Sequence, residues 1–276
     1  MKANHVKRRL QAGEPSVGTW LSLPSAESAE YIAELGFDWL TVDAEHNPID
    51  ITVMSQMFGV IAASGTAPLV RIPWNSGENI KRVLDAGAWG IVVPMVNSRA
   101  EAEAAVAAAK YPPRGNRSLG GNLRTVRWGA TAAEYTAHAD DELLVVLQIE
   151  HVAGVAVADE ILSVPGVDAC FIGPNDLAAS MGISLGVPLE SSHPELVAAV
   201  AEIRAACLRN GVAPGIHCSG PEGVNQRIGE GFQFLAMASE LKFLLGGLQE
   251  GLAALAWQPS PRASIGQSVE KDAIRY

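Results

Sequence analysis

At 276 residues, 48% of them hydrophobic, the chain suits one large α/β unit with a sizeable core, because barrels of about 250 residues form single domains. Its formal net charge of −10 argues against binding a nucleic-acid backbone, which clustered Lys and Arg drive. No apolar run approaches the roughly 20 residues that cross a bilayer, so no membrane span is expected.

The N-terminus, MKANHVKRRLQAGEP, is basic with no apolar stretch behind it, which is not the pattern of a secretory leader and implies a cytoplasmic protein. Strand one is expected in SVGTWLSL, ending near Trp20, with a helix in PSAESAEYIAELG capped by Ser25 and stopped by Gly36. FDWLTVDAEHNP supplies a second strand whose end presents Asp43, Glu45 and His46, and a helix follows over 51–64. APLVRIP is the third strand, with Arg71 near its end, and SGENIKRVLDAG the third helix, with Asp85 in its last turn. An acid there opposes the helix dipole and hints at another use for Asp85.

WGIVVPMV is the fourth strand and SRAEAEAAVAAAKYPP the next helix, capped by Ser98 and ended by Pro112. A Gly- and Arg-rich insertion, RGNRSLGGNLRTVRWG, spans 114–129 before a short helix at 132–139. Strand five is LLVVLQI, a single helix is expected over 152–163, and strand six is VDACFI. SSHPE reads as a capping box from Ser192 to Glu195 opening a long helix that ends at Gly211. VAPGIH and FQFLAMA are strands seven and eight, separated by the helix GPEGVNQRIGEG, and LKFLLGGLQEGLAALAW is the last helix.

Eight alternating strand and helix units predict a (β/α)8 TIM barrel over residues 1–257, followed by a polar tail over 258–276 that lies on the surface or reaches a neighbouring subunit. No GxGxxG follows the first strand, which weakens a dinucleotide-binding alternative. Cys170, Cys207 and Cys218 are odd in number and lack paired spacing, so neither a disulfide framework nor a zinc knuckle is expected.

The chemistry is expected at the C-terminal strand ends. VVLQIE closes on Gln148 and Glu150, and the segment after strand six carries Asp176. Singly, Glu150 is explicable as a helix N-terminal acid and Asp176 as a helix cap. Together on adjacent strands they form a candidate pair for a hard cation such as Mg²⁺ or Mn²⁺. Arg71 at a buried strand end needs an anionic partner, and His46 is placed to act as a base, with Asp85, Asp43 or Glu45 available to hold its other nitrogen. All six lysines (Lys2, Lys7, Lys81, Lys110, Lys242, Lys271) fall in termini or predicted helices, so no strand offers a Schiff-base lysine. The GNRSLGG loop is open to two readings: Arg117 and backbone N–H groups receiving an anion, or a mobile or subunit-contact loop. His217 and Cys218, ending strand seven, are read as packing or hydrogen-bonding residues.

The ordered segments GTWLSLPS, VDAEHNP, PLVRIPWN, DAGAWGIVVPMV, YPPRGNRSLGG, LQIEH and FIGPNDLAASMG resemble the HpcH/HpaI aldolases, the class II metal-dependent pyruvate aldolases that include 4-hydroxy-2-oxoheptanedioate and 2-dehydro-3-deoxyglucarate aldolases. The likeness runs from Gly18 to Ala238, and NPID after His46 is a departure from it. The resemblance implies Glu150 and Asp176 as ligands of Mg²⁺, Mn²⁺ or Co²⁺, Arg71 on the keto-acid oxygens, and His46 as base with Asp85 as its partner. It places Trp20 and Gln148 along the same site, with Gly173, Pro174 and Asn175 receiving the pyruvate carboxylate. It implies a homohexamer, a trimer of dimers, in which the 114–129 insertion and the last helix make interfaces. The expected reaction is reversible cleavage of a 4-hydroxy-2-oxo acid to pyruvate, or an analogue such as hydroxypyruvate, and an aldehyde through a metal-stabilised enolate. The alternatives are an oxaloacetate decarboxylase or a carbon–carbon bond-forming synthase on the same site, and a non-catalytic small-acid-binding barrel.

Overall fold

The computed structural model describes residues 1–183 and 189–256; the expected tail over 258–276 lies outside them. The chain opens with α1 (His5–Gln11), β1 (Ser16–Leu21), α2 (Ala26–Ala33), β2 (Trp39–Asp43), α3 (Ile51–Ser64), β3 (Ala67–Arg71) and α4 (Gly77–Ala86). It continues through β4 (Gly90–Val93), α5 (Arg99–Ala109), α6 (Leu123–Arg127), α7 (Ala132–Glu142), β5 (Leu144–Ile149), α8 (Val152–Ala156), α9 (Ala158–Leu162) and β6 (Ala169–Ile172). It closes with α10 (Pro174–Ser180), α11 (Pro194–Asn210), β7 (Ala213–Cys218), α12 (Pro221–Gly229), β8 (Phe234–Ser239) and α13 (Glu240–Ala253).

The eight strands pair in sequence order, all parallel, and β8 closes on β1. This is the expected (β/α)8 barrel. Every residue of β2, β4, β5 and β6 is buried, which explains why those strands read as continuous apolar runs rather than alternating ones. Aromatic rings fill the barrel interior: Trp39 stacks on Phe234 at 4.4 Å, Phe234 meets Phe171 at 5.9 Å, and Phe171 meets Trp20 at 5.4 Å. Gly18 makes room for this column, because a Cβ there would overlap the Trp39 ring. Ring burial of this size is worth about 4–6 kcal/mol per side chain, from roughly 150–250 Å² each.

Two local expectations are corrected, and one helix went unread. That helix, α1, is capped by the Asn4 side chain, which accepts from Lys7 N. It closes the barrel floor, with Lys7 Nζ 3.0 Å from Asp168 and donating to the Leu143 carbonyl. The expected helix over 152–163 is broken into α8 and α9 at Val157, whose φ of −124° leaves the helical region. The capping box at Ser192 is absent; α11 starts at Pro194 with His193 as its N-cap and no side-chain cap bond, since Pro at the first helical position needs no acceptor for a missing N–H. Among the described residues no helix is long and apolar enough to cross a membrane.

Candidate active site

The strand ends β1 to β8 all open on one rim, where a cavity of ≈ 550 Å³ is lined by Trp20, His46, Arg71, Gln148, Gly173, Pro174, Asn175 and Asp176. Eight of the ten expected site residues therefore line one cavity. The other two are Glu150, buried directly beneath it, and Asp85, which lies elsewhere.

Arg71 and Asp43 are cross-strand partners at the last paired position of β3 and β2. The guanidinium forks onto Asp43 through Nε and Nη2, each at 2.8 Å, while Nη1 lies 3.2 Å from Glu45 Oε2. It also sits 4.5 Å over the Trp20 ring. Burial works against the Arg71 charge, but the Asp43 hydrogen bonds and the nearby carboxylates outweigh it and raise its pKa. Asp43 further accepts from Glu45 N at 3.2 Å and Asn47 Nδ2 at 2.7 Å, so it shapes the loop that carries His46.

The register that pairs Ile149 with Ile172 puts Glu150 beside Gly173. Glu150 Oε1 accepts from Met95 N at 2.9 Å, and its Oε2 accepts from Gln148 Nε2. Met95 holds its N–H there with φ of 53°, a left-handed conformation that is strained for a side-chain-bearing residue. A Cβ at 173 would overlap Glu150 Oε2 and lie 3.0 Å from Gln148 Nε2, so glycine there leaves the carboxylate its place. Asp176 projects from the first turn of α10, behind Pro174. Burial and then the charge of Asp176 push Glu150 up to about 7, with the Met95 N–H opposing them.

These are two carboxylates forced together at the edge of a cavity, with the buried Gln148 Oε1 beside them unpartnered among the described residues. Such a set fits a hard divalent cation, whose charge would offset the mutual repulsion. Among the described residues no group of three or more His, Cys, Asp or Glu side chains is arranged for a metal, so the protein would contribute a carboxylate pair and leave other positions to substrate oxygens and water.

His46 is half exposed, with Nε2 3.6 Å from Glu45 Oε2, close but beyond a hydrogen bond. Burial raises the Glu45 pKa, against the pull of Arg71 and His46. The expected Asp85 partner is not brought to His46 within the chain. Asp85 instead accepts from Arg117 Nη2 at 2.7 Å, and Arg117 Nη1 donates to Tyr135 OH at 3.1 Å. The Arg117 side chain is 0% exposed, which corrects the reading in which it receives an anion: the arginine pins the insertion to the barrel flank.

Asp43 as the clamp on Arg71 went unread, since partnership across strands depends on register. His217, Phe171, Leu189, Ser22, Ser239, Asn47 and Leu241 also line the cavity. Their apolar or neutral character gave no chemical signal, apart from His217 at its strand end.

The model of the HpcH/HpaI aldolase/citrate lyase family matches residues 16–246. The chain is 37% identical over 250 residues to a hydroxypyruvate/pyruvate aldolase of Rhizorhabdus wittichii, covering 91% of this chain and 98% of that protein. It is 39% identical over 252 residues to a 4-hydroxy-2-oxo-heptane-1,7-dioate aldolase of Escherichia coli, covering 91% and 94%. The crystal structure of a family protein from Burkholderia cenocepacia superposes with a TM-score of 0.84 at 34% identity, covering 91% of this chain and 98% of that one. With barrel, strand-end carboxylates and sequence in agreement, the chain belongs to the HpcH/HpaI aldolase/citrate lyase family.

Proposed function

We propose that this carbon–carbon lyase cleaves a 4-hydroxy-2-oxo acid into pyruvate, or a close analogue such as hydroxypyruvate, and an aldehyde, with a divalent cation held by Glu150 and Asp176. The convergence of His46, Arg71, Gln148 and Asp176 on one cavity, with Glu150 beneath it, carries this reading. When bound, Mg²⁺, Mn²⁺ or a similar ion would act as a Lewis acid toward the 2-oxo oxygen.

Arg71 has five N–H donors; two donate to Asp43 and Nη1 lies 3.2 Å from Glu45 Oε2 without a hydrogen bond, which leaves three for the substrate. The Asp43 fork and the Trp20 face hold the guanidinium in a fixed direction, so these donors meet the negative charge that develops on the keto oxygen without reorganising. His46 takes the proton from the C4 hydroxyl, the C3–C4 bond breaks, and its electron pair passes into the 2-oxo unit as an enolate. Protonation at C3 then releases pyruvate. The Gly173 to Asn175 turn lines the cavity where the substrate carboxylate would lie.

A homo-oligomer is part of the proposal, the hexamer being the form that the resemblance implies. Phe243, Leu244, Leu248 and Leu252 of α13 are each 45–56% exposed, and Leu119 and Val126 of the insertion are 68% exposed, so a second copy would cover apolar surface on both segments. In such an assembly the His46 partner that the resemblance implies would be Asp85 of another copy, because within the chain Asp85 is held by Arg117 and the acid beside His46 is Glu45.

His46→Ala separates this reaction from simple decarboxylation of oxaloacetate, which has no hydroxyl proton to remove. Retro-aldol turnover should fall about 10²- to 10⁴-fold while metal-dependent decarboxylation persists. An equal fall in both would remove His46 from the role of hydroxyl base.

A further inference from the structure

The charged groups of the cavity lie on the β2, β3, β5 and β6 side. The rest of the lining, from β7 through β8 to the end of β1 together with Leu189 ahead of α11, is built differently: His217, Leu189, Leu241, Ser22 and Ser239 form it, and none of them is a carboxylate, lysine or arginine. Lys242, next to Leu241, gives its ammonium to the Ser219 carbonyl at 2.7 Å instead.

His217 stands out on this wall. Its ring lies 6.1 Å from that of Trp20 and 6.4 Å from that of Phe171, so two aromatic neighbours fix its orientation. No hydrogen bond joins the ring to any described residue, and neither ring nitrogen is among the buried atoms sealed from solvent. Burial, followed by the charges of Arg71 and Lys242, pushes its pKa down to about 4, against Glu190 and Asp43. The imidazole, which lines the cavity, is thus neutral at physiological pH and carries one donor and one acceptor nitrogen. Packing against two rings does not need an imidazole, and one left unpaired would waste its polar group.

We propose, on the aldol reading above, that His217 hydrogen-bonds a hydroxyl of the aldehyde portion of the substrate and selects neutral hydroxyaldehydes over alkyl or carboxylated ones. The 2-oxo acid end requires Arg71 and the Glu150–Asp176 pair, so the remainder of the substrate falls against the uncharged wall. A carboxylated aldehyde would find no guanidinium or ammonium lining that wall among the described residues, and an alkyl aldehyde would leave the imidazole unpaired and dry.

The test is metal-supported condensation of pyruvate with glycolaldehyde, its methyl isostere propanal, and succinic semialdehyde, comparing kcat/KM. The wild type should prefer glycolaldehyde to propanal by at least about tenfold, with succinic semialdehyde also disfavoured. His217→Leu should reduce the glycolaldehyde-to-propanal ratio at least about tenfold, and His217→Gln, which keeps a donor and an acceptor, should retain part of it. A wild type without that preference, or one favouring succinic semialdehyde, overturns the proposal before any variant is made. A ratio unchanged in His217→Leu while both rates fall together would make His217 a packing residue. Wild-type enzyme that condenses none of the three with metal present sinks the aldol reading and this proposal with it.

Discussion

Replacing Asp43 by alanine tests the hub of the site. Asp43 is 5% exposed, and the change removes two Arg71 contacts at 2.8 Å, the Glu45 N–H at 3.2 Å and the Asn47 amide at 2.7 Å. Losing one partner of a buried ion pair typically costs about 3–5 kcal/mol. Glu45, 3.2 Å from Nη1, still faces the guanidinium and offsets part of this, so about 2–4 kcal/mol is expected. Freed from its fork, Arg71 should no longer meet the developing negative charge, at a cost of about 10² in kcat/KM. Urea unfolding measures the first quantity and steady-state pyruvate release the second. Combined with Arg71→Ala in a double-mutant cycle, the pair should show a coupling of about 2 kcal/mol or more. Single-variant effects that simply add to within about 0.5 kcal/mol, or an Asp43→Ala enzyme of near-normal turnover, would refute the clamp.

Gly173→Ala should lower activity by about 10² with little change in Tm, because the new Cβ meets the Glu150 carboxylate and the backbone φ of −93° accepts alanine; a fully active variant would show that Glu150 does not need that space. Lys110, buried with its ammonium on the Asp140 carbonyl, has its pKa lowered by burial and by Lys7 from 10.5 to about 8. The unfolded chain therefore binds the extra proton between pH 8 and 10.5, so the Lys110 contribution to stability rises with pH across that window, by up to about 1.4 kcal/mol per unit. Lys110→Met should remove that slope in denaturation profiles; profiles that run parallel to the wild type would contradict the assignment.

The barrel was legible because each strand is a short Val, Ile and Leu run bounded by turn residues and followed by an amphipathic helix. The carboxylates were legible because acids at the ends of such strands stand out. Register was not: Asp43 and Arg71 are 28 positions apart, and their pairing becomes visible only when β2 and β3 are aligned. For the same reason Gly173 read as part of a turn, although its neighbour Glu150 is what demands a glycine. Asp85 shows the opposite failure. Its position against the helix dipole signalled a special partner, and there is one, but it is Arg117 from an irregular segment whose path no periodicity encodes. Helix α1 was missed because seven residues are too few for an amphipathic pattern to register.

Pyruvate release from a 4-hydroxy-2-oxo acid, measured on chelator-stripped protein before and after resupply of Mg²⁺ or Mn²⁺ and alongside Glu150→Ala, bears most directly on the proposed reaction. Activity that vanishes with the chelator, returns with the ion and stays absent from Glu150→Ala is the predicted result. Turnover that survives both the chelator and the substitution would contradict the role given to the carboxylate pair.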